Sequence, residues 1–194
     1  MVMAFYQRNA RRFDKERNRD LLEKSWLDQF TSIVPKGGSI LDLGCGSGQP
    51  LAEYLIELGY KVTGVDSSLT LIEMCKRRFP DQEWVVEDMR RVKFIKVFDG
   101  VLAWDSFFHL THDDQKAMFQ TFSSCAKSGG PLMFTAGPEH GEAINPLWDA
   151  PLYHASFSKD EYCDLLKQSA FHVISHKLED PECGGHSIYL ARRL

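Results

Sequence analysis

Ile40-Leu41-Asp42-Leu43-Gly44-Cys45-Gly46-Ser47-Gly48-Gln49-Pro50 is the stretch that decides the fold. With Ser39 it opens as SILDL, a short apolar run of the kind buried on both faces of a parallel sheet. Glycines follow at every second position, which permits a tight turn and lets a ligand approach the backbone closely. Pro50 suits the first turn of a helix. Strand, bare loop and helix in this order make a ligand-binding unit, and the residues outward from it identify what kind.

Downstream the pattern repeats. Leu51, Leu55 and Leu58 mark the inner face of a helix that Gly59 stops. YKVTGVD reads as a second strand. SSLTLIEMCKRRF reads as a helix with Ser67 or Ser68 as its cap and Ile72, Cys75 and Phe79 inward. EWVVED, VFDGVLAW and PLMFTAG read as strands three to five. Between the last two, Thr111 and Asp114 form a capping box for a helix with Met118, Phe122 and Cys125 inside. A glycine- and proline-marked loop is expected over 137–157. Ser158 and Glu161 then cap a helix to about Ser169, and FHVISHKLED with HSIYLARRL form a closing strand pair. Upstream, residues 5–20 are polar and basic, and a helical face of Leu22, Trp26, Phe30 and Ile33 begins near Arg19 and ends at Pro35. Strand–helix alternation predicts an α/β fold: a doubly wound, mostly parallel sheet with helices on both faces. Its ligands lie beyond the carboxyl ends of the strands.

Composition narrows the classes. The chain has 194 residues, 43% of them hydrophobic and 26% charged, with a net charge of −4. One domain over 1–194 is expected, and a polyanion is not the expected main partner. MVMAFYQRNARRF meets charge too early for a secretory signal, and no apolar run is of membrane-spanning length. The five cysteines include no CxxC pair, so neither a disulfide framework nor a zinc site is expected. A reducing cytoplasm is the expected setting.

The strand ends carry the chemistry. Asp42 precedes the glycine loop, Asp66 ends strand two, and Asp88-Met89 follow strand three. A carboxylate at Asp66 accepts hydrogen bonds from ribose hydroxyls. Asp88 suits an exocyclic amine, and Met89 a flat base. Two ligands fit this nucleoside site. A dinucleotide calls for GxGxxG, whereas the spacing here is GxGxG. S-adenosylmethionine is a net cation, and three acids suit it and repel a pyrophosphate. Asp66 alone does not choose, because a dinucleotide fold places its ribose acid there too.

The run ILDLGCGSG, then VDSS, VVEDM and FDGVLAWDSFFHL, resembles the class I S-adenosylmethionine-dependent methyltransferases over about residues 39–136. The resemblance implies a seven-stranded Rossmann-like sheet with an antiparallel last strand. It also implies cofactor contacts from Asp42, Gly44, Cys45, Gly46, Gln49, Pro50, Asp66, Ser67, Asp88, Met89 and Trp104. Tyr6 and Phe13, in an N-terminal segment and helix over 1–35, fit the aromatic cover seen in small members. The Asn/Asp-Pro-Pro-aromatic signature of base methylation is replaced by Ala103-Trp104-Asp105-Ser106. A small-molecule acceptor is therefore expected, with no nucleic acid and no membrane partner. The alternatives are a nicotinamide-dependent oxidoreductase and a methyltransferase acting on tRNA or protein.

A methyl on sulfur is already activated, so positioning supplies most of the rate and a base helps a protonated acceptor. Asp105, His109, His140 and His154 are the candidate bases, with loop 137–157 on the acceptor side. Trp104 and Tyr153 are candidate pocket walls. Cys45 reads as a packing residue, His112 as surface, and His186 as part of the final turn.

Overall fold

The computed structural model describes residues 2–194. The chain runs α1 (Val2–Glu16), α2 (Lys24–Thr31), β1 (Ser39–Leu43), α3 (Leu51–Glu57), β2 (Lys61–Asp66), α4 (Leu69–Arg78), β3 (Glu83–Val86) and β4 (Gly100–Ala103). A 3-10 turn over Phe107–His109 leads to α5 (His112–Cys125) and β5 (Pro131–Ala136). Then come β6 (Gly141–Leu147), β7 (Ala150–Ser156), α6 (Lys159–Gln168), β8 (Phe171–Asp180) and β9 (His186–Arg193). The main sheet is seven-stranded, in the order β3-β2-β1-β4-β5-β9-β8. Its first five strands are parallel, and β9 lies antiparallel to both β5 and β8. This is the doubly wound sheet expected from the sequence.

Alternate residues along the central strands go to opposite faces, as the pleat requires. Leu41, Leu43, Val101, Ala103, Leu132 and Phe134 pack with Phe119, Phe122, Tyr162 and Leu166 of α5 and α6. Ile40, Leu102, Met133, Ile188 and Leu190 pack with Trp26, Phe30 and Leu55 of α2 and α3. The expected caps are present. Ser68 accepts from Leu71 N–H, Thr111 from Asp114 N–H, and Ser158 with Glu161 forms the full capping box. The chain leaves β1 in one direction and returns through β4 in the other. The switch point therefore lies between β1 and β4, where Asp42 pairs across to Leu102.

Two expectations are corrected. Residues 5–20, read only as a polar and basic segment, are mostly helix: α1 runs from Val2 to Glu16, and α2 begins at Lys24 rather than near Arg19. Tyr6, Ala10 and Phe13 recur at helical spacing and pack on Leu71 and Met74 of α4. Leu22, counted in the α2 face, lies ahead of that helix and is exposed. The 137–157 segment, read as a loop, is mostly an antiparallel hairpin of β6 and β7, with Pro146 opposite Pro151. Prolines are tolerated there because this two-stranded ribbon is edge on both sides.

Polar contacts hold α1 over the strand ends. Asp14 receives two bonds from Arg78, at 2.7 and 2.6 Å, and Arg78 also donates to the Ser47 carbonyl in the glycine loop at 3.1 Å. Arg78 holds the Asp14 carboxyl far below the usual carboxylate range. Trp148 at the hairpin tip donates to Glu16 at 2.8 Å, and the Arg12 guanidinium lies 4.1 Å from its ring centre. Asp14→Ala is expected to loosen α1 by about 1–3 kcal/mol, the usual worth of charge-assisted bonds. Hydrogen exchange should quicken across α1 amides and stay unchanged in β1, β4 and β5; uniform quickening would contradict a local role.

Candidate active site

A cavity of about 650 Å³ opens where β1, β2, β3 and β4 end, under α1 and beside the β6–β7 hairpin. Its floor is the glycine loop. Gly44 has φ +84°, and a Cβ there would stand 2.2 Å from the Ser106 Cβ, so only glycine fits. Ser106 in turn donates to the Leu43 carbonyl at 2.7 Å. Gly46 N–H donates to Asp66 at 3.0 Å, and the same carboxylate caps Ser68 N–H at 2.8 Å. Asp66 therefore shapes the loop and the α4 entry while it lines the cavity. Burial raises its pKa, against these two bonds.

Asp42 is the electrostatic centre. It is 3% exposed, and among the described residues its carboxylate has no hydrogen-bond partner. Burial, and then the neighbouring Asp66 charge, push its pKa up to about 7. A buried carboxylate of this kind is costly alone and strongly favours a cation beside it. Asp88 behaves differently. It lines the cavity, but Arg90 grips it at 2.5 Å and holds its pKa down, so the acceptor expected for an exocyclic amine is already engaged. Arg90 also reaches Asp114 at 2.8 Å.

The opposite wall is aromatic. His109 Nδ1 lies 2.9 Å from the Tyr153 carbonyl, and its Nε2 lies 3.1 Å from the Tyr6 hydroxyl. A carbonyl only accepts, so this network assigns the proton to Nδ1 and makes Nε2 the acceptor of the Tyr6 O–H. Burial pushes the His109 pKa down to about 4, which keeps the ring neutral. Burial, with Asp105 nearby, raises the Tyr6 phenol, which stays protonated. His154 stacks on Phe108 with centroids 5.1 Å apart and lies 4.6 Å from the His109 ring.

Of the residues singled out from the sequence, Asp42, Gly44, Cys45, Gly46, Gln49, Asp66, Ser67, Asp88, Met89, Trp104, Tyr6 and Phe13 line this one cavity, as do Asp105, His109, His154 and Tyr153. Two do not. Pro50 is buried as the N-terminal cap residue of α3, outside the lining. His140 is exposed, pairs with Glu161 at 2.8 Å and stacks on His112, away from the cavity. His112 is not free surface either, since its Nε2 lies 2.9 Å from the Ser156 carbonyl. Arg17, Phe108 and His186 line the cavity and were missed. The sequence places His186 in the final turn; β9 runs antiparallel to β5, so its first residue, His186, arrives at the carboxyl ends of the parallel strands. That placement follows from the predicted closing strand pair.

A family model described as a methyltransferase domain matches residues 40–130. A methyltransferase-named protein of Bacillus subtilis, YqeM, is 29% identical over 115 residues, which is 56% of this chain and 46% of YqeM. These matches support a class I S-adenosylmethionine-dependent methyltransferase. Solved structures of similar fold hold S-adenosylmethionine or S-adenosylhomocysteine, consistent with S-adenosylmethionine as the cofactor. The chain spans about half to two thirds of the length of the curated relatives it matches. The fold is shared with an S-adenosylmethionine-dependent methyltransferase from Clostridium acetobutylicum, at TM-score 0.76 and 15% identity over 97% of this chain and 99% of that one. It is shared equally with the Burkholderia thailandensis 1,6-didemethyltoxoflavin-N1-methyltransferase, at TM-score 0.76 and 17% identity over 99% and 85%. The acidic ring and the GxGxG spacing accord with this family rather than with a dinucleotide fold.

Asp42 gives a linkage prediction. Its folded pKa lies above the unfolded value, so the ligand-free protein loses stability as pH rises from about 4 through 7. Asp42→Asn is expected to be more stable than the parent at pH 8 by a few kcal/mol, on the order of 2–4, with the gap closing by pH 4. Urea unfolding at both pH values checks this; a gap independent of pH contradicts it.

Proposed function

We propose that this chain transfers the methyl group of S-adenosylmethionine to a small-molecule acceptor. The observation that carries the reading is the buried, unpartnered Asp42 carboxylate above a loop where Gly44 has no room for a side chain. The residues fit the cofactor. Asp42 would neutralise the ammonium of its amino-acid tail, Gly44 and Gly46 would leave the tail space, Asp66 would hold the ribose hydroxyls, and Met89 would face the base. When bound, the cofactor supplies a methyl group already activated on sulfur.

The chain's own residues orient, exclude water and manage a proton. α1 and the β6–β7 hairpin cover the cavity, joined through Trp148, Phe5 and Arg12. This cover is the lid and the acceptor side of a single domain. His109, kept neutral by burial, offers Nε2 to the Tyr6 hydroxyl, and Tyr6 offers its oxygen to the acceptor's N–H or O–H. The two serve as the base pair for a protonated acceptor. His154 and Phe108 form a stacking wall for a flat group.

The cavity volume of about 650 Å³ suits a cofactor with a small acceptor. All five cysteines are free. No helix among the described residues is long and apolar enough to cross a membrane.

Incubation with methyl-labelled S-adenosylmethionine and separated cellular fractions tests the acceptor class. Label is expected in the low-molecular-weight fraction, and His109→Gln should lower its rate roughly 10- to 100-fold with cofactor affinity unchanged. Label confined to RNA or protein contradicts the small-molecule reading.

A further inference from the structure

We propose that the methyl acceptor is an uncharged aromatic molecule that donates N–H or O–H hydrogen bonds, and that the free Nε2 of His154 on β7 selects it. The inference rests on the methyl-transfer reading above and names the chemical class of its acceptor.

The polar rings of the aromatic wall have spent their donors. The Tyr6 O–H donates to His109 Nε2 at 3.1 Å, and His109 Nδ1–H donates to the Tyr153 carbonyl at 2.9 Å. His154 Nδ1 lies 3.1 Å from the Leu152 carbonyl, which only accepts, so this nitrogen carries the ring's proton too. Lone pairs are what remain. One kind is on the Tyr6 oxygen; the other is on His154 Nε2, which has no partner among the described residues. Burial lowers the pKa of His154, as it does that of His109, so both rings stay neutral. Thr111 and Asn145 also line the cavity, but both are exposed. A ligand that meets this wall must bring the hydrogens itself.

The surroundings are flat and apolar. The His154 ring stacks on Phe108 with 29° between their planes. Side chains alternate along a strand, so Leu152 shares the His154 face of β7 and Tyr153 takes the other. Met3 of α1 and Pro146 and Leu147 of β6 add to the lining. An aromatic ring gains most from such walls.

No cation there is free to hold an anion. Arg90 bonds Asp88 and Asp114, and Arg17 and His186 both face Asp105. Asp and Glu side chains outnumber these three cations around the cavity. A carboxylate or phosphate on the acceptor would be repelled and left without donors. An ammonium fails for another reason. It has no lone pair to offer the methyl carbon, and His109, with its pKa pushed down to about 4, is too weak a base to free one.

Fluorescence titration of the chain saturated with S-adenosylhomocysteine tests this with three naphthalenes. 2-Naphthol is uncharged and donates, 2-methoxynaphthalene cannot donate, and 6-hydroxy-2-naphthoate donates but is an anion. 2-Naphthol should bind roughly 10-fold more tightly than either of the others, the worth of one or two hydrogen bonds. His154→Phe keeps the stacked ring and removes the lone pair. It should weaken 2-naphthol roughly 3- to 10-fold and shift 2-methoxynaphthalene less than about twofold. Equal binding of 2-naphthol and 6-hydroxy-2-naphthoate would overturn the uncharged class. Equal binding of 2-naphthol and its methyl ether, or equal weakening of both in His154→Phe, would remove the donor requirement and the role of His154. No binding of 2-naphthol at 1 mM, on the order of the weakest affinity worth calling a site, would overturn the aromatic class. In each of these cases the cofactor reading stands. If the parent chain does not bind S-adenosylhomocysteine, the cofactor reading itself fails and the acceptor class falls with it.

Discussion

Much of this structure is arranged around one buried charge. Asp42 sits at the centre of a sheet covered on both faces, where an ionised carboxylate is disfavoured unless something positive joins it. Among the described residues no cation bonds it. Asp66 accepts from the backbone N–H groups of Gly46 and Ser68, and its charge pushes Asp42 further toward the neutral form. The site thus keeps an electrostatic demand that a cationic ligand meets. The glycine loop provides the complementary steric condition, because at Gly44 the Ser106 side chain already fills the space of a Cβ.

That demand explains the cover. An ammonium beside Asp42 gains most where water is excluded, since charge interactions strengthen as the local dielectric falls. α1 supplies the exclusion, pinned to α4 by Asp14–Arg78 and to the hairpin by Trp148. The same helix places Tyr6 against His109, so it covers the glycine loop and also contributes to the aromatic wall of the cavity. The glycine loop and α1 are tied by Arg78, which bonds both Asp14 and the Ser47 carbonyl.

The sheet was legible because its signals are local. SILDL, the capping residues Ser68, Thr111 and Ser158, and the acids at the strand ends each depend on a few adjacent residues. α1 was not read as a helix because only Tyr6, Ala10 and Phe13 of its inner face are apolar among many charges. The hairpin was hidden by Pro146 and Pro151, which usually argue against strands and are harmless on a two-stranded ribbon. His140 and His154 look alike in sequence, yet one stacks on His112 outside the cavity and the other on Phe108 within it. His186 acquires its place only when β9 returns antiparallel beside β5. Pairings between distant segments, such as Tyr6 with His109 and Asp105 with His186, are properties of the fold and not of any short motif.

The central claim is that an acidic cavity over a GxGxG loop takes a cationic sulfonium nucleoside and not a pyrophosphate. Calorimetric titration of the purified chain with S-adenosylmethionine and with NADH tests it most directly. The account predicts micromolar binding of S-adenosylmethionine, lost in Asp66→Ala, and no heat with NADH. Binding of NADH without S-adenosylmethionine would contradict it.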